Sequence, residues 1–346
     1  MIKLKEAGRV IRWAILILFL VLLYKIFVPV NFRVQSGDLE MNYSFWRLST
    51  GSVICYTHLP SSLKNRQTCP VIYLHGGPGG AISQRIIDDL KPLCNDGFDL
   101  YFYDQVGSGR SGRLSNISEY TVQRHVDDLD EIINTIGKEK VILIGQSWGA
   151  LLAASYLSEH HEKIEKVIFT SPGPIYPRNK TQISITAPDS LQLRAPLNTN
   201  KQANESATNL RIKAITFFAT RFGIKIATDE EADQYATFVD SKTYKSALCD
   251  TSITLANRGQ SGFFAGVMTY RSLFETEDYR GAIKGLKIPV LIMKGQCDNQ
   301  PWGATEEYLK LFPVHKFVYV REAGHFINVE QYDSYIREIR NFLLKQ

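Results

Sequence analysis

A serine, an aspartate and a histidine occupy settings in this sequence that suit nucleophilic catalysis. Ser147 is the central residue of GQSWG at positions 145–149, a GxSxG pentapeptide that follows the apolar run VILI and precedes the helical pattern ALLAASYL. A sharp turn from a strand into a helix presents the serine hydroxyl at the strand end, and the flanking glycines let the main chain come close. The context therefore predicts Ser147 as a nucleophile.

The base and the acid that such a serine needs follow later in the chain. A serine hydroxyl is a weak nucleophile until a histidine takes its proton, and an acid holds that histidine in the right tautomer. Asp298 lies just beyond a predicted strand at residues 290–294, and His325 lies just beyond another at residues 316–320. The order serine, aspartate, histidine is the one found with this kind of turn. We therefore expect Ser147, Asp298 and His325 to form a catalytic triad.

A glycine-rich loop supplies a candidate oxyanion hole. The loop HGGPGG at residues 75–80 follows a predicted strand at residues 71–75, and it lacks the Lys-Ser/Thr ending of a phosphate-binding loop. Backbone N–H groups in such a loop can stabilise the negative charge that develops on a carbonyl oxygen during acyl transfer. We expect the N–H groups of Gly77 and Trp148 to form this hole, the second because it belongs to the residue after the nucleophile.

Short apolar strands alternate with amphipathic helices over most of the chain. Four or more of the predicted strands are almost entirely apolar, which is typical of parallel strands buried on both faces. The alternation predicts an α/β fold with a mostly parallel, doubly wound sheet. The predicted strands are residues 71–75, 100–104, 141–145, 167–171, 290–294 and 316–320, and the predicted helices are residues 82–94, 119–136, 151–160, 304–312 and 329–344.

One interval is too long to be a simple connection between two strands. More than a hundred residues separate the strand at 167–171 from the strand at 290–294, whereas connections in compact domains are usually a few residues long. We therefore predict a helical lid at residues 173–283, inserted after strand 6 of the fold, between core segments at residues 31–172 and 284–346. Its predicted helices are residues 210–222, 230–240 and 263–274.

The first thirty residues have the pattern of a membrane anchor. Residues 13–24 carry no charge, and the apolar stretch around them reaches about twenty residues, enough for a helix to cross a bilayer. Four basic residues and one acid precede it, so the positive-inside rule places residues 1–12 in the cytoplasm and the body outside it. We predict a single-pass signal anchor at residues 13–30. A cleaved signal peptide is the alternative, although no small-x-small cleavage site follows the apolar run.

Composition argues against several classes of protein. The 346 residues, 44% of them hydrophobic, suffice for one large core with an inserted subdomain, and a net charge of +5 indicates no nucleic-acid-binding face. The five cysteines show no CxxC pair and no His/Cys ligand spacing, which argues against a structural zinc site. Buried free thiols are the favoured interpretation of the cysteines. Cys55 with Cys69 is the pair to test if the body faces an oxidising compartment.

The motifs HGGPGG, DQVGSGRS, GQSWGA, GQCD and EAGHF together resemble the prolyl iminopeptidase branch of the α/β-hydrolases. The resemblance extends from about residue 70 to the end of the chain, except for the lid. It implies an α/β-hydrolase fold and cleavage of an N-terminal residue, commonly proline, through an acyl-enzyme without a cofactor or metal. It also implies that Ser147 is the nucleophile, His325 the general base and then acid, Asp298 its orienting partner, and Gly77 with Trp148 the oxyanion hole.

The lid departs from that family. The family's lid carries a tryptophan-rich helix with a glutamate that recognises the free α-amine of the substrate. The four tryptophans of this chain all lie outside residues 173–283. Glu205, Glu230 and Glu231 are the candidate lid acids for binding an amine.

These patterns favour a membrane-anchored serine aminopeptidase that acts on short peptides with proline or a small residue at the N-terminus. A carboxylic ester hydrolase with the same triad is the main alternative, because only the lid distinguishes the two. A ligand-binding homologue without catalysis is a further alternative, and the intact triad and glycine-rich loop argue against it.

Overall fold

The computed structural model of the chain describes residues 2–32, 34, 42–196, 205, 208–255 and 259–345. Strands in this part are β1 (Ser44–Arg47), β2 (Val53–Leu59), β3 (Val71–Leu74), β4 (Leu100–Tyr103), β5 (Val141–Gln146), β6 (Ile164–Thr170), β7 (Val290–Gly295) and β8 (His315–Val320). They form one sheet in the order β1-β2-β4-β3-β5-β6-β7-β8. Neighbouring strands from β4 across to β8 run parallel, whereas β2 is antiparallel to both β1 and β4. The predicted doubly wound sheet is therefore present.

The sheet contains the six predicted strands and two further strands that the sequence pattern did not predict. β1 and β2 form a hairpin at one edge of the sheet, closed by the Leu48 N–H, which donates to the Ser52 carbonyl at 2.9 Å. β1 is largely exposed, and β2 contains the polar residues Thr57 and His58. An edge hairpin therefore lacks the continuous apolar run that marks the buried parallel strands.

Helices cover both faces of the sheet. In the described residues they are α1 (Ile2–Phe27), α2 (Gln84–Leu90), α3 (Val122–Ile136), α4 (Trp148–His160), α5 (Lys180–Ile183), α6 (Leu210–Phe222), α7 (Asp229–Thr243), α8 (Phe263–Ser272), α9 (Arg280–Ile283), α10 (Trp302–Leu311), α11 (Ile327–Glu330) and α12 (Tyr332–Leu344). Because strand side chains alternate between faces, Leu143 and Phe169 join the apolar cluster under α3 and α4. Ile144 and Ile168 join the cluster under α2 and α12.

Capping residues decide where a predicted helix begins and ends. The sequence pattern begins the helix at residue 119, but α3 begins after Thr121, whose side chain accepts a hydrogen bond from the Arg124 N–H at 3.0 Å. It ends at Ile136, and the capping residue Gly137 that follows has a φ of 70°. Such caps satisfy backbone groups that helix ends leave without an intrahelical partner.

The lid helices α6, α7 and α8 lie between β6 and β7, where the insertion is predicted. Asp233 of α7 attaches them to the core, because its carboxylate accepts from Arg113 Nε at 3.0 Å and from the Phe263 N–H at 2.8 Å. Burial raises the pKa of Asp233 to about 6, against the opposing effect of the Arg113 charge. The lid is thereby held on the loop that follows β4. The predicted segment boundaries at residues 31, 173 and 284 stay predictions.

A disulfide joins Cys249 of the lid to Cys297 of the core, with a Cα–Cα distance of 5.2 Å. The favoured interpretation of the cysteines as buried free thiols is therefore wrong for Cys249 and Cys297. The pair to test, Cys55 with Cys69, is not formed, because both are free thiols. The reason lies in strand order, since Cys55 belongs to β2, Cys69 precedes β3, and β4 lies between these two strands. Burial raises the pKa of the Cys55 thiol to about 12.

Removing this disulfide is expected to destabilise the fold. The bond closes a loop with a sequence separation of 48 residues, for which the chain-entropy model gives about 4 kcal/mol of stabilisation. The Cys249→Ser variant should therefore show a lower free energy of unfolding in urea. Cys69→Ser, which removes a free and partly buried thiol, is the matched control. Equal unfolding midpoints for the two variants would contradict a stabilising disulfide.

The N-terminal helix fits the predicted anchor in length and composition. Glu6–Phe27 of α1 is long and apolar enough to cross a membrane, and its most apolar stretch is not buried against the rest of the protein. A signal sequence near an N-terminus has the same properties. The anchor at residues 13–30, its topology and its retention in the mature chain stay predictions.

The end of α1 touches the lid. Arg211 of α6 donates from Nη1 to the Ile26 carbonyl at 2.6 Å, and the Val30 N–H donates to Glu231 of α7 at 3.0 Å. Arg211 and Glu231 are both buried and form a bidentate ion pair with two N–O distances of 2.5 Å. The N-terminal helix therefore ends against the first turns of α6 and α7.

Candidate active site

Ser147 lies at the turn between β5 and α4, in a backbone conformation that is rare for a residue with a side chain. Its φ is 55° and its ψ is −114°. An added Cβ at Gly145 would overlap the Gly149 carbonyl, and one at Gly149 would overlap the Leu74 carbonyl. Both positions therefore require glycine, and the spacing of the pentapeptide follows from close backbone packing.

Asp298 and His325 meet as the sequence predicts. His325 Nδ1 lies 2.7 Å from Asp298 Oδ1, and both side chains are buried. An ionised carboxylate only accepts hydrogen bonds, so Nδ1 carries the proton and Nε2 is left to accept one. The His325 N–H donates to the Ala247 carbonyl at 2.7 Å. Ser147 and His325 line the same cavity, which has a volume of about 700 Å³.

A buried lysine is the second partner of the acid. Lys294, at the end of β7, is 0% exposed. Its Nζ donates to Asp298 Oδ2 at 3.1 Å and to the Gln300 carbonyl at 2.9 Å. Each oxygen of the Asp298 carboxylate therefore has its own nitrogen partner, His325 on one side and Lys294 on the other.

Three neighbours keep Asp298 ionised in spite of its burial. Burial by itself would raise the pKa of the Asp298 carboxyl. The charges of Lys294 and His325, together with hydrogen bonds from His325 and the Gln300 N–H, outweigh burial and hold the pKa of Asp298 well below its usual value. The carboxylate is therefore ionised throughout the range in which a histidine base operates.

The glycine-rich loop lies beside the serine. Gly76, Gly77 and Gly80 line the cavity that contains Ser147. The loop is tight, since Gly77 has a φ of 133° and an added Cβ there would lie 2.6 Å from the Gly80 nitrogen. Trp148 is the first residue of α4, where N–H groups have no intrahelical partner. Gly77 therefore shares the cavity with Ser147 and Trp148 directly follows it, and their role as oxyanion donors stays a prediction.

His75 supports this loop and takes no part in the triad. The Gln105 N–H donates to His75 Nε2 at 3.0 Å, so His75 Nδ1 carries the proton and donates to the Gly76 carbonyl at 2.9 Å. Burial lowers the pKa of His75 to about 4, which keeps the ring neutral near neutral pH. Gln105 also accepts from the Trp148 indole at 2.7 Å. One side chain thus links the oxyanion loop to the start of α4.

Asp104, at the start of the glycine-rich loop after β4, has a structural role. Its carboxylate accepts from the Ile82 N–H at 2.8 Å and from the Arg110 N–H at 2.9 Å. Burial raises the pKa of Asp104 above its usual value. The side chain therefore holds the loop after β4 against the segment that follows the glycine-rich loop at residues 75–80.

The lid closes one side of the cavity and contributes an acid to it. Asp240 of α7 is the only acidic residue among the described residues that line the cavity. It accepts a hydrogen bond from the Ser261 hydroxyl. Ile253 and Leu255 add apolar surface on the lid side. The cavity thus combines Ser147, His325, part of the glycine-rich loop, the carboxylate of Asp240 and the guanidinium of Arg85.

Comparison with known proteins identifies the family. Residues 70–332 match the family described as alpha/beta hydrolase fold. The chain is an α/β-hydrolase. This confirms the fold class that the motifs predict. The hydrolase is similar to a proline iminopeptidase of Heyndrickxia coagulans, with 26% identity over 277 residues that cover 79% of this chain and 90% of that protein. That similarity supports the predicted resemblance to the prolyl iminopeptidase branch.

Solved structures of other α/β-hydrolases share the fold. An esterase from Exiguobacterium antarcticum superposes with a TM-score of 0.58 at 18% identity, covering 87% of this chain and 99% of that one. Proline iminopeptidase from Mycobacterium smegmatis superposes with a TM-score of 0.55 at 17% identity, covering 87% and 97% respectively. A protein named as an esterase and one named as a proline iminopeptidase thus both have this fold. The fold alone therefore does not separate a peptidase from an esterase.

The structure does not bring the predicted lid acids to the cavity of this hydrolase. Glu231 is buried in its ion pair with Arg211, which also holds its pKa below the usual value against burial. Glu230 is exposed and accepts from Gln234. Glu205 is exposed and does not line the cavity. The lid acid that does line it, Asp240, lies ten residues after Glu230, at the far end of α7.

Two partners of the loop that carries Asp298 were also not predicted from the sequence. Lys294 ends an apolar strand, and its spacing of four residues from Asp298 was a usable local signal. The Cys249–Cys297 bond had no such signal, because its two cysteines come from the lid and from the core. Among the described residues no cluster of three or more His, Cys, Asp or Glu could hold a metal ion. The absence of a cofactor stays a prediction.

Proposed function

We propose that this α/β-hydrolase is a serine aminopeptidase, which removes an N-terminal proline or small residue from short peptides. One observation carries the proposal: Asp240 is the single carboxylate among the described residues that line the cavity of Ser147 and His325. A carboxylate in a partly enclosed cavity favours a cation, and the free α-amine of a peptide is such a cation. The similarity to a proline iminopeptidase supports the same substrate class.

The first half of the reaction forms an acyl-enzyme. Ser147 Oγ attacks the carbonyl carbon of the substrate's first residue while His325 Nε2 takes the hydroxyl proton. The N–H groups of Gly77 and Trp148 donate to the oxyanion of the tetrahedral intermediate, a contribution of about 3 kcal/mol for each donor. The amide C–N bond then breaks, and the imidazolium gives its proton to the leaving amine of the shortened peptide.

The second half releases the first residue. A water molecule gives a proton to His325 Nε2, and its oxygen attacks the ester carbonyl. Collapse of this second intermediate breaks the bond to Ser147 Oγ, which takes the proton back from the imidazolium. Asp298 orients the ring and stabilises its charge in both halves, through the 2.7 Å hydrogen bond to Nδ1.

Asp240→Asn is expected to lower kcat/KM for substrates with a free amine on the order of 100-fold, because an uncharged amide replaces the partner of the α-ammonium. The measurement compares alanine and proline p-nitroanilides with their N-acetylated forms and with a short-chain p-nitrophenyl ester. Ester turnover should change little, since an ester lacks the ammonium group.

Glu230→Gln is the matched control for this experiment. Glu230 lies on the same helix and is exposed, so its neutralisation changes the charge of the lid without changing the cavity. A wild-type enzyme that cleaves blocked and free anilides equally well would contradict the aminopeptidase proposal. An equal loss in both variants would remove the assignment of Asp240 as the amine partner.

An ester hydrolase with the same triad is the second candidate. It is favoured by the hydrogen bond from Ser261 to Asp240, because that bond engages the one carboxylate among the described residues that line the cavity. Turnover of the p-nitrophenyl ester alone, with no cleavage of the free-amine anilides, would establish this alternative. A ligand-binding homologue would turn over neither substrate.

We also propose that α1 anchors the enzyme in a membrane, with residues 1–12 in the cytoplasm and the catalytic body outside it. The Cys249–Cys297 disulfide supports this topology, because disulfides persist in oxidising compartments and are rare in the cytosol. The basic residues before the apolar helix support the same orientation.

A further inference from the structure

A second cavity lies in the lid, outside the site described above. It is a groove of about 880 Å³ between α6, α7 and α8. Most of its wall is apolar, and its inner end reaches Pro78 and Gly79 of the oxyanion loop. Asp240 and Ser261 line both this groove and the catalytic cavity. An occupant of the groove would therefore lie against the outer wall of the active site. Its apolar lining includes Ile212, Tyr235, Val239, Phe263 and Val267.

Large aromatic side chains stand exposed at the rim of this groove. Phe217 is 55% exposed, Tyr270 is 44% exposed and Phe274 is 62% exposed, and all three line it. α6 is apolar on both sides, since Ile215 and Ala219 are buried while Phe217 and Phe222 face outward. Contiguous exposed apolar surface of this kind marks a contact with a partner or a membrane.

The charged residues of α6, the helix at the rim of the groove, are all basic. This helix contains Arg211, Lys213 and Arg221 and no acidic residue. Lys213 and Arg271 also line the groove. Helices that lie in a lipid interface combine phenylalanine or leucine with basic residues in this way, because the basic groups meet anionic headgroups.

The membrane-anchor helix ends on the same part of the lid. Arg211, in the first turn of α6, donates to the Ile26 carbonyl near the end of α1. Phe32, just beyond α1, packs edge-on against Tyr235 with ring centroids 5.1 Å apart, and Tyr235 is part of the groove wall. Since α6 has 13 residues, its whole length lies within about 20 Å of the point where α1 ends.

We propose that this groove binds an aliphatic chain of a lipid in the bilayer that holds α1, with the α6–α8 face of the lid resting on the lipid surface. The inference rests on the proposed anchoring. The apolar wall takes up the chain, and the aromatic rim lies at the level of the headgroups. The exposed Lys213 and Arg221 of α6 meet the negative charge of the headgroups, whereas Arg211 is buried in its ion pair with Glu231. The anchor and the lid thus contact one membrane from the same side.

Tryptophan fluorescence in the full-length enzyme tests this proposal. The chain is reconstituted in vesicles of phosphatidylcholine and phosphatidylglycerol, with or without lipids that carry a doxyl quencher on the acyl chain. Phe217→Trp adds a reporter at the rim and Tyr235→Trp adds one at the inner wall, each as an aromatic replacement. Phe274→Trp replaces the rim reporter if Phe217→Trp does not fold. Leu63→Trp, at an exposed apolar position on the core, is the matched control.

In Phe217→Trp and Tyr235→Trp, we expect the doxyl lipids to quench the fluorescence that the new tryptophan adds. In Leu63→Trp, we expect no such quenching. The native Trp13 lies within α1 and reports on the anchor separately. Quenching of Trp13 without quenching at the two lid positions would overturn the groove proposal and leave the anchor intact. Quenching at Phe217→Trp alone would mean that only the face touches lipid, so the groove proposal would be wrong. An unquenched Trp13 would overturn the anchor, and the groove proposal with it.

Discussion

Replacing Ser147 with alanine is expected to lower kcat by at least about 10⁴-fold, because the remaining oxyanion donors and binding groups give only residual catalysis. The fold should be unchanged. Alanine has the same Cβ as serine, so the strained φ of 55° at this turn is neither relieved nor made worse. The measurement is kcat on a p-nitroanilide, together with circular dichroism and labelling by a fluorophosphonate probe.

Ser158→Ala is the matched control for this variant. Ser158 is in the same helix, and its hydroxyl donates to the Ser155 carbonyl at 2.6 Å, away from the cavity. The control should keep both turnover and labelling, whereas Ser147→Ala should lose both. A Ser147→Ala enzyme with kcat within tenfold of the native value would remove Ser147 as the nucleophile.

Replacing Lys294 with methionine is expected to destabilise the fold by about 3–5 kcal/mol near neutral pH, because the buried Asp298 carboxylate loses a charged partner. Lys294 and His325 share that carboxylate, at 3.1 Å and 2.7 Å. Against the effect of burial, the Lys294 charge helps to hold the pKa of Asp298 below its usual value, so this pKa should rise in the variant. The loss of stability should become smaller as the pH falls and Asp298 takes up a proton, since the neutral acid does not need the ammonium group. The measurement is the free energy of unfolding in urea at several pH values.

Lys310→Met separates this effect from a general loss of charge. Lys310 also pairs with an acid four residues away, Glu306, but it is mostly exposed. Its replacement should leave the free energy of unfolding and its pH dependence nearly unchanged. A Lys294→Met variant as stable as the native enzyme at every pH would show that Lys294 does not stabilise the Asp298 carboxylate.

Sequence patterns were informative where the signal is local. The nucleophile turn is read from a strand, two glycines and a helix in one short segment, and the structure shows backbone overlap at Gly145 and Gly149 as the reason for those glycines. Asp298 and His325 were found because each follows a strand of the parallel part of the sheet, whose strands end at a common edge. That edge brings the two side chains within hydrogen-bond distance.

The lid was the part of the chain that the sequence predicted least well. Its helices were predicted near their observed places, but not which acid they present to the cavity. Glu231 stands in an acidic run at the start of α7 and turns inward to Arg211, whereas Asp240 reaches the cavity from the other end of the same helix. Helical periodicity identifies a face, and which face meets the core depends on how the helix is docked.

The sequence by itself determined the fold family, the three candidate triad residues and an apolar N-terminal helix, because strand runs, turn glycines and strand-end residues are properties of short segments. Only the tertiary structure decided that Cys249 pairs with Cys297, that Lys294 shares the carboxylate of Asp298 with His325, and that the lid contacts the end of α1. Two of these contacts join segments far apart in the chain. Their geometry exists only after the lid has folded onto the sheet, and no pattern within a short segment encodes it.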